Sequence, residues 1–557
     1  LLTLSQAFMD ANGGTITIDG NEDNHADADH TINASTVTTG SVIFQMEGHI
    51  TAKNDSFTGG GGDDIVIAGV NLQTAASTVE LEATDSINGN AGTDTIRIDN
   101  RGNASNAGSG GFTGTIDFDL VTNVEQIVVL DADGATTAAD AIRIDLSTGV
   151  TAANVPVSFT VDASAITDAD DDLRFNYDAD NTAAYNTALL TKFTIKGGAG
   201  DDTIYGSGGS DTITTGGGTN TVVTGDFTTT AGYAGTGDHV TGGSGVDNVT
   251  GGTGADTILS GGECADIIAS GAGIDSIDGG TGADTITGGT GGDNITGGSG
   301  NDVFKYAAGD SAGATKDTIT DFAATSAAGV AGDKIEVALT LPAGGITFTE
   351  TDRGDSATTG EAPGYLGGVR GDFVFIDGTS TLSIDVDGDG NINVNDISVT
   401  LTGETAFAEA DLQLNLTGGS GADSITTLSN IDTIAGGDGN DTIKAGAGND
   451  IVDGEADNDH LYGEAGNDSL TGAAGNDSIT AGAGDDTLEG DAGTDTLLGE
   501  AGADVLNGDD ANDTITGGEG ADTITGGAGL DGVILTEITS AADVVVINAV
   551  VATSEDS

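Results

Sequence analysis

Tryptophan is absent from this 557-residue chain, and cysteine, methionine and proline occur only once, twice and three times. A single cysteine excludes an intrachain disulfide framework. Aromatic residues are 4% of the sequence, too few to build a large globular core. Cations are equally scarce, with 13 Lys and Arg against 90 Asp and Glu and a formal charge of −77. That charge repels nucleic acid, and its self-repulsion opposes compaction. No apolar run approaches the roughly 18 residues that a membrane-spanning helix needs. The chain opens on Leu-Leu rather than Met and has no basic segment leading into an apolar one, so a secretory signal peptide is not expected and the N-terminus reads as processed or trimmed.

Glycine, by contrast, occurs 95 times, and much of it is periodic. Residues 418–534 are thirteen unbroken nine-residue units of the form GGxGxDxUx, where U is apolar. Residues 436–444 (GGDGNDTIK) and 517–525 (GGEGADTIT) are complete copies. Position 6 is aspartate in every unit: Asp423, Asp432, Asp441, Asp450, Asp459, Asp468, Asp477, Asp486, Asp495, Asp504, Asp513, Asp522 and Asp531. Position 8 is always Ile, Val or Leu. An earlier array runs through residues 197–259 in one phase, takes Ser260 as a single insertion, and continues through 261–305. Its position-6 residues are Asp202, Asp211, Asn220, Asp238, Asp247, Asp256, Asp266, Asp275, Asp284, Asp293 and Asp302. The slot at 224–232 carries Thr229 there and is expected to lack a strong site. Residues 233–241 keep Asp238 and Val240 without the glycines, and Cys264 fills a position-4 glycine slot, where it is expected to distort the turn.

This pattern matches a known calcium-binding parallel β-roll repeat. Glycine opens backbone conformations closed to other residues, so turn carbonyls can point inward. Calcium takes six to eight oxygens at roughly 2.3–2.6 Å. One turn is too small a donor set, so ions are expected between successive turns, held by carbonyls and the position-6 carboxylates. Asn220 offers only a neutral oxygen, and its ion is expected to bind more weakly. Position 8 points inward and positions 7 and 9 outward, because strand side chains alternate. Two units make one coil, and thirteen units at about 4.8 Å per coil span roughly 31 Å. One ion per unit and one elsewhere, about 26 in all, leaves roughly −25 of the formal charge. An apo chain is therefore expected to be largely unfolded and the calcium form rigid.

Residues 1–196 read as β-rich, with alternating runs such as TIDFDL at 115–120 and VSFTV at 157–161. Residues 59–67 are a full unit carrying Asp64; 80–88 and 89–97 are partial ones carrying Asp85 and Asp94. An irregular β-helix and a small β-sandwich both fit. Residues 306–415 break the period, and DVFKYAAGDS, KDTITDF and DKIEV there read as the cap that closes a roll. Within them, residues 385–396 (DVDGDGNINVND) have the spacing of an EF-hand or dockerin loop. Its ligand positions fall on Asp385, Asp387, Asp389, Asn391, Asn393 and Asp396, and the flanks read as strands rather than helices. Residues 535–557 hold one apolar run, a terminal strand, a pairing edge or part of a secretion signal.

The units and the DVFKYAAGDS–TITDF segment resemble RTX proteins of Gram-negative bacteria, specifically over about 197–345 and 416–534 and partially before that. The resemblance implies type I secretion through an uncleaved C-terminal signal and folding on external calcium, and it carries the ligand role onto the position-6 residues above. Residues 122–132 (TNVEQIVVLDA) are loosely similar to RTX surface-layer proteins.

The expected fold class is all-β: two calcium-binding parallel β-rolls (197–305 and 416–534) with irregular β-rich N-terminal (1–196) and middle (306–415) regions and a C-terminal tail (535–557). Catalytic signatures are weak. HExxH and GxxxxGK[ST] are missing, and the five histidines (His25, His30, His49, His239, His460) never share the zinc-protease spacing. Residues 21–30 (NEDNHADADH) read better as a solvated loop than as a metal site. GDSAG at 309–313 matches GxSxG around Ser311, but no helix pattern follows and no histidine partners it. No enzyme is expected. The expected protein is a secreted, calcium-stiffened structural solenoid that self-assembles into a surface layer or filament, with a cell-surface polysaccharide as a candidate anchor. An RTX adhesin is the main alternative and an RTX hydrolase a distant one.

Overall fold

The structure is a computed structural model. It describes residues 192–206, 209–224, 237–259, 264–307, 412–427 and 430–534 continuously. Elsewhere it describes residues 2–6, 9, 15–19, 31–46, 56–71, 78–79, 86–100, 113–117, 121–122, 124, 126–131, 141–145, 158–165, 172–176, 310, 316–323, 333–340, 349–350, 372–376, 381–384, 397–401 and 543–546. The chain forms two compact units, residues 1–288 with 293–300 and residues 289–292 with 301–557.

In the first unit the described strands stack in parallel rows, apart from a short antiparallel pairing of Val70–Asn71 with Thr78–Val79. One sheet runs Thr15–Asp19, Ser41–Met46, Ile65–Asn71, Thr95–Asn100, Gln126–Asp131, Ser158–Asp162, Lys192–Lys196 and Thr212–Thr214. It continues through His239–Thr241, Thr257–Leu259, Ser276–Asp278 and Asn294–Thr296. A second parallel row carries Thr113–Asp117, Ala141–Asp145, Asp172–Asn176, Thr203–Tyr205, Asn220–Val223, Asp247–Thr250, Ile267–Ala269 and Thr285–Thr287. A third holds Leu2–Ser5, Thr31–Thr36, Ser56–Thr58, Ser86–Asn88 and Val121–Thr122. The described strands of residues 1–196 thus form a β-solenoid rather than a sandwich, and their rows continue past residue 196. Its core differs in content from the arrays. Phe44 stacks on Phe57 at 6.0 Å between ring centroids, and Phe193 packs edge-on against Phe175 at 5.4 Å. In the array the same inward ladder is filled by Ile204, Ile213, Val222, Val240, Val249 and Ile258, all fully buried.

The second unit departs from expectation at its start. Val303–Ala307, Lys334–Thr340 and Leu412–Thr417 pair in parallel, and Leu412–Thr417 passes directly to Thr433–Ala435 of the second array. These strands continue a sheet instead of closing one. Their alternate apolar residues, Ile335 and Val337 over Leu412, Leu414 and Leu416, fill the same inward ladder, so the edge propagates. The excursion between them carries an antiparallel meander, Asp372–Ile376, Thr381–Ile384 and Ile397–Leu401, attached in parallel to Asp317–Ile319. Ile384 stands opposite Ile397, so strands do flank residues 385–396. That loop, with Asp385, Asp387, Asp389, Asn391, Asn393 and Asp396, lies outside the described residues.

Beyond residue 418 the fold is two facing rows. One is Ser424–Thr426, Thr442–Lys444, His460–Ala465, Ser478–Ala483, Thr496–Ala501, Thr514–Glu519 and Gly532–Ile534. The other runs from Thr433–Ala435 through Ile451–Asp453, Ser469–Thr471, Thr487–Glu489, Val505–Asn507 and Thr523–Thr525 to Val544–Val546. Within the repeats, partners such as Leu470 and Leu488 are 18 positions apart, two units per coil. Val544–Val546 makes a strand of the tail. Strands of three residues suffice because each buries one β-branched or leucine side chain on the coil below and above. Burying one such side chain is worth roughly 1.5–3 kcal/mol.

Two adjacent residues separate packing from exposure. Leu470 is 1% exposed and Ser469 faces solvent. Denaturant titration in saturating calcium is expected to show Leu470→Ala losing about 2–5 kcal/mol and Ser469→Ala staying within about 0.5 kcal/mol.

Candidate calcium ladders

Position 6 lies between the glycine turn and its short strand, as Asp441 does before Thr442–Lys444, and the carboxylate is placed inside the coil. The carboxylates form columns. In the second array the backbone N–H of Asp423 donates to Oδ1 of Asp441, and the pattern repeats through Asp459, Asp477, Asp495 and Asp513 to Asp531, at 2.7–3.2 Å. The facing column starts at the Leu414 N–H and passes through Asp432, Asp450, Asp468, Asp486, Asp504 and Asp522 to Asp543, at 2.7–3.2 Å. Every member from Asp423 to Asp522 is buried, and Asp531 is half-buried at the end of its column.

The first array repeats the arrangement. Phe193, Asp211, Asp238, Asp256, Asp275 and Asp293 form one column. Leu173, Asp202 and Asn220 begin the other, which resumes as Asp247, Asp266 and Asp284. The usual step of 18 residues becomes 27 between Asp211 and Asp238, so the slot holding Thr229 contributes no rung. Ser260 lengthens two steps to 19 residues, Asp247 to Asp266 and Asp256 to Asp275, and breaks neither. The distortion expected at Cys264 does not reach the ladder: Asp266 keeps both its bonds at 2.8 Å, and the thiol lies 3.6 Å from the Ser244 carbonyl. Further upstream, Asp64 accepts from Val42 and Gly60 and donates its N–H to Asp94 at 2.8 Å. Asp85 lies outside the described residues.

The second carboxylate oxygen defines the chemistry. Along ten successive rungs, Asp441 to Asp522, Oδ2 is buried without a hydrogen-bond partner. A carbonyl of the next coil converges beside it. A β-carbon added to Gly490 would lie 2.8 Å from Asp495 Oδ2 and 2.9 Å from the Gly508 carbonyl oxygen. At Gly508 the corresponding distances, to Asp513 Oδ2 and the Gly526 oxygen, are 2.5 and 2.6 Å. At Gly490 and Gly508 a side chain would fill this oxygen-lined gap, whereas Thr427, Ala445 and Ala481 occupy position 1 of other units. The left-handed backbone falls instead at position 2, which tolerates Glu455, Asp491, Glu500 and Asp509 at φ 61–71°, and at position 4, which tolerates Asp457 and Ala511 at φ 77–81°.

Burial without a counter-charge raises these carboxyls. Asp450 and Asp459 are pushed up to about 7 and Asp468, Asp495 and Asp504 to about 6, by burial first and by neighbouring carboxylates of the column next, against the pull of one backbone N–H each. Asp238 reaches about 8 for the same leading reason. The protein supplies little positive charge of its own here. Lys444 is the one Lys or Arg in 418–534, and its ammonium sits over the Tyr462 ring, 5.6 Å from the centroid. No three His, Cys, Asp or Glu side chains converge among the described residues, so carbonyls must complete any metal shell. Oxygen donors alone suit a hard cation of the calcium type.

Sequence reasoning missed several members. Asp543 ends one column, and Asp333 receives the N–H of Asp302 at 3.0 Å and that of Ala323 at 2.7 Å. Both carry the Asp-x-apolar signature (DVV, DKI) out of phase with the nonamers. Position 5 forms a ladder of its own in the opposite sense: Asn440 accepts from Asn458, Asn458 from Asn476 and Asn476 from Thr494. The recurring Asn just before the position-6 Asp was its signal. His239 and His460 sit at the outward position 7. Residues 21–30, His49 and Ser311 lie outside the described residues.

The family described as RTX calcium-binding nonapeptide repeat (4 copies) matches residues 51–70, 82–97, 194–222, 235–258, 241–277, 269–304, 278–311, 427–461, 462–497 and 498–533. These repeats bind calcium, several ions to an array. No curated protein matches the chain.

A carboxyl raised in the folded state favours the folded state when it is protonated. Unfolded Asp titrates near 3.9, so this contribution is complete below about pH 4 and is lost as pH rises through about 7 at Asp450 and Asp459. Circular dichroism in excess chelator is therefore expected to gain β-signal on acidification from about pH 8 to about pH 5. A metal-free chain that loses β-signal over that range would contradict this.

Proposed function

Because the chain is an RTX calcium-binding repeat protein, we propose that it is secreted, folds on extracellular calcium and assembles as a structural element of the cell surface. The observation carrying this reading is the run of ten partnerless, buried carboxylate oxygens on a chain of formal charge −77. Asp441 to Asp522, Asp238, Asp256 and Asp275 would hold the ions together with turn carbonyls such as those of Gly508 and Gly526. Bound calcium supplies the positive charge that lets stacked carboxylates share a coil. Weak oxygen sites fill at about 10⁻⁴–10⁻³ M calcium, an extracellular concentration, so folding inside the cell is postponed.

Assembly follows from surface periodicity. In-register coils repeat the same outward chemistry along each face, which suits side-by-side or head-to-tail packing of copies. One outward row alternates Thr433, Ser469, Thr487 and Thr523 with Ile451, Val505 and Val544, and those three apolar residues are about half exposed. We assign the protein no catalytic reaction.

Electron micrographs of the purified chain are expected to show ordered sheets or filaments in millimolar calcium and none in chelator. Monodisperse particles in calcium that bind a surface glycan or host protein would replace assembly with an adhesin role. Unchanged circular dichroism between chelator and calcium would remove the calcium requirement itself.

A further inference from the structure

One rung of the first array carries an amide in place of a carboxylate at position 6. Asn220 occupies position 6 and is fully buried. Its Oδ1 accepts the Asp202 N–H at 2.9 Å, as an aspartate would. Its Nδ2 bridges its own turn and the next coil. It donates to Asp247 Oδ1 in the next coil at 2.9 Å and to the Gly217 carbonyl of its own turn at 2.9 Å, with Gly218 O at 3.4 Å. The partners settle the amide orientation. Turned over, it would set NH₂ against the Asp202 N–H and oxygen against three oxygens. The backbone adjusts as well: the Asn220 N–H goes to the Val246 carbonyl at 2.7 Å, where other rungs give that donor to the next carboxylate. Asp247 keeps its second oxygen occupied by the Gly243 N–H at 3.0 Å.

The expectation of a weak calcium site rested on a neutral oxygen, and the amide presents its NH₂ as well. An amide with two N–H groups faces the oxygens that a cation would gather. We propose that the Asn220 rung takes no calcium, its NH₂ standing in for the ion between its own turn and Asp247. The proposal rests on reading the aspartate rungs as calcium sites. Its location has a physical sense, since both columns step 27 residues here, from Asp211 to Asp238 and from Asn220 to Asp247, instead of 18. Within the first array this coil has the longest loop to close, and a rung locked by hydrogen bonds holds its register before any ion arrives.

Native mass spectrometry of the full chain in calcium counts the ions directly. N220D places carboxylate oxygen against the Gly217 and Gly218 carbonyls and Asp247, and is expected to bind one ion more than the wild type. N220A is expected to bind the same number as the wild type, while the calcium concentration for half-maximal folding by circular dichroism rises several-fold. One ion fewer in N220A would make Asn220 a metal ligand and overturn the proposal, as would a folded N220D with no added ion. If N220D fails to fold, N220A alone decides. A wild type that binds no calcium would instead overturn the reading of the aspartate rungs, whatever the Asn220 variants do.

Discussion

A buried carboxylate oxygen facing a carbonyl oxygen, with no donor between them, is the constraint on which the arrays depend. Each aspartate spends Oδ1 on the backbone N–H of the coil before it, and that bond fixes the stacking register. From Asp441 to Asp522, Oδ2 is then left in a buried, oxygen-lined gap, where an unpaired charge is costly. A proton or a hard cation removes the conflict, and only the cation also ties in the carbonyls of the next turn. On the proposed reading, calcium binding and folding are therefore coupled.

The same ladder explains what irregularity the solenoid tolerates. Ser260 adds one residue, the segment around Thr229 adds nine, and 341–411 adds a whole excursion, yet strands on either side still pair in register. Insertions leave through the turns, while the inward ladder and the aspartate columns continue. Where the nonamer pattern fails, other packing takes over. Phenylalanines fill the N-terminal coils, and Asp333 stands in as a column member outside the repeat phase. At Asn220 the substitute is chemical, an amide in place of an ion.

Much of this was legible along the chain. The nine-residue period, the apolar position 8 and the position-6 aspartates predicted parallel coils of two units, and Ile443 over Ile425 or Leu488 over Leu470 realise that register. Three features were not legible. The DVFKYAAGDS and DKIEV segments read as a terminating cap but extend a sheet, because an apolar alternation says which face is inward and not whether another strand will cover the edge. Residues 1–196 left helix and sandwich open, since alternation is common to both. Asp543 escaped notice because its step is 21 residues rather than 18.

Composition and spacing by themselves determined the all-β class, the coil length and the calcium chemistry, because a residue type repeated at fixed intervals must meet its own copies once the chain coils. Only the tertiary structure decided which oxygen of each aspartate is free, which way the Asn220 amide faces, and which distant strands become neighbours. Those depend on the register between coils, and register is set by contacts between residues 18 or more positions apart, not by the order of residues within a turn.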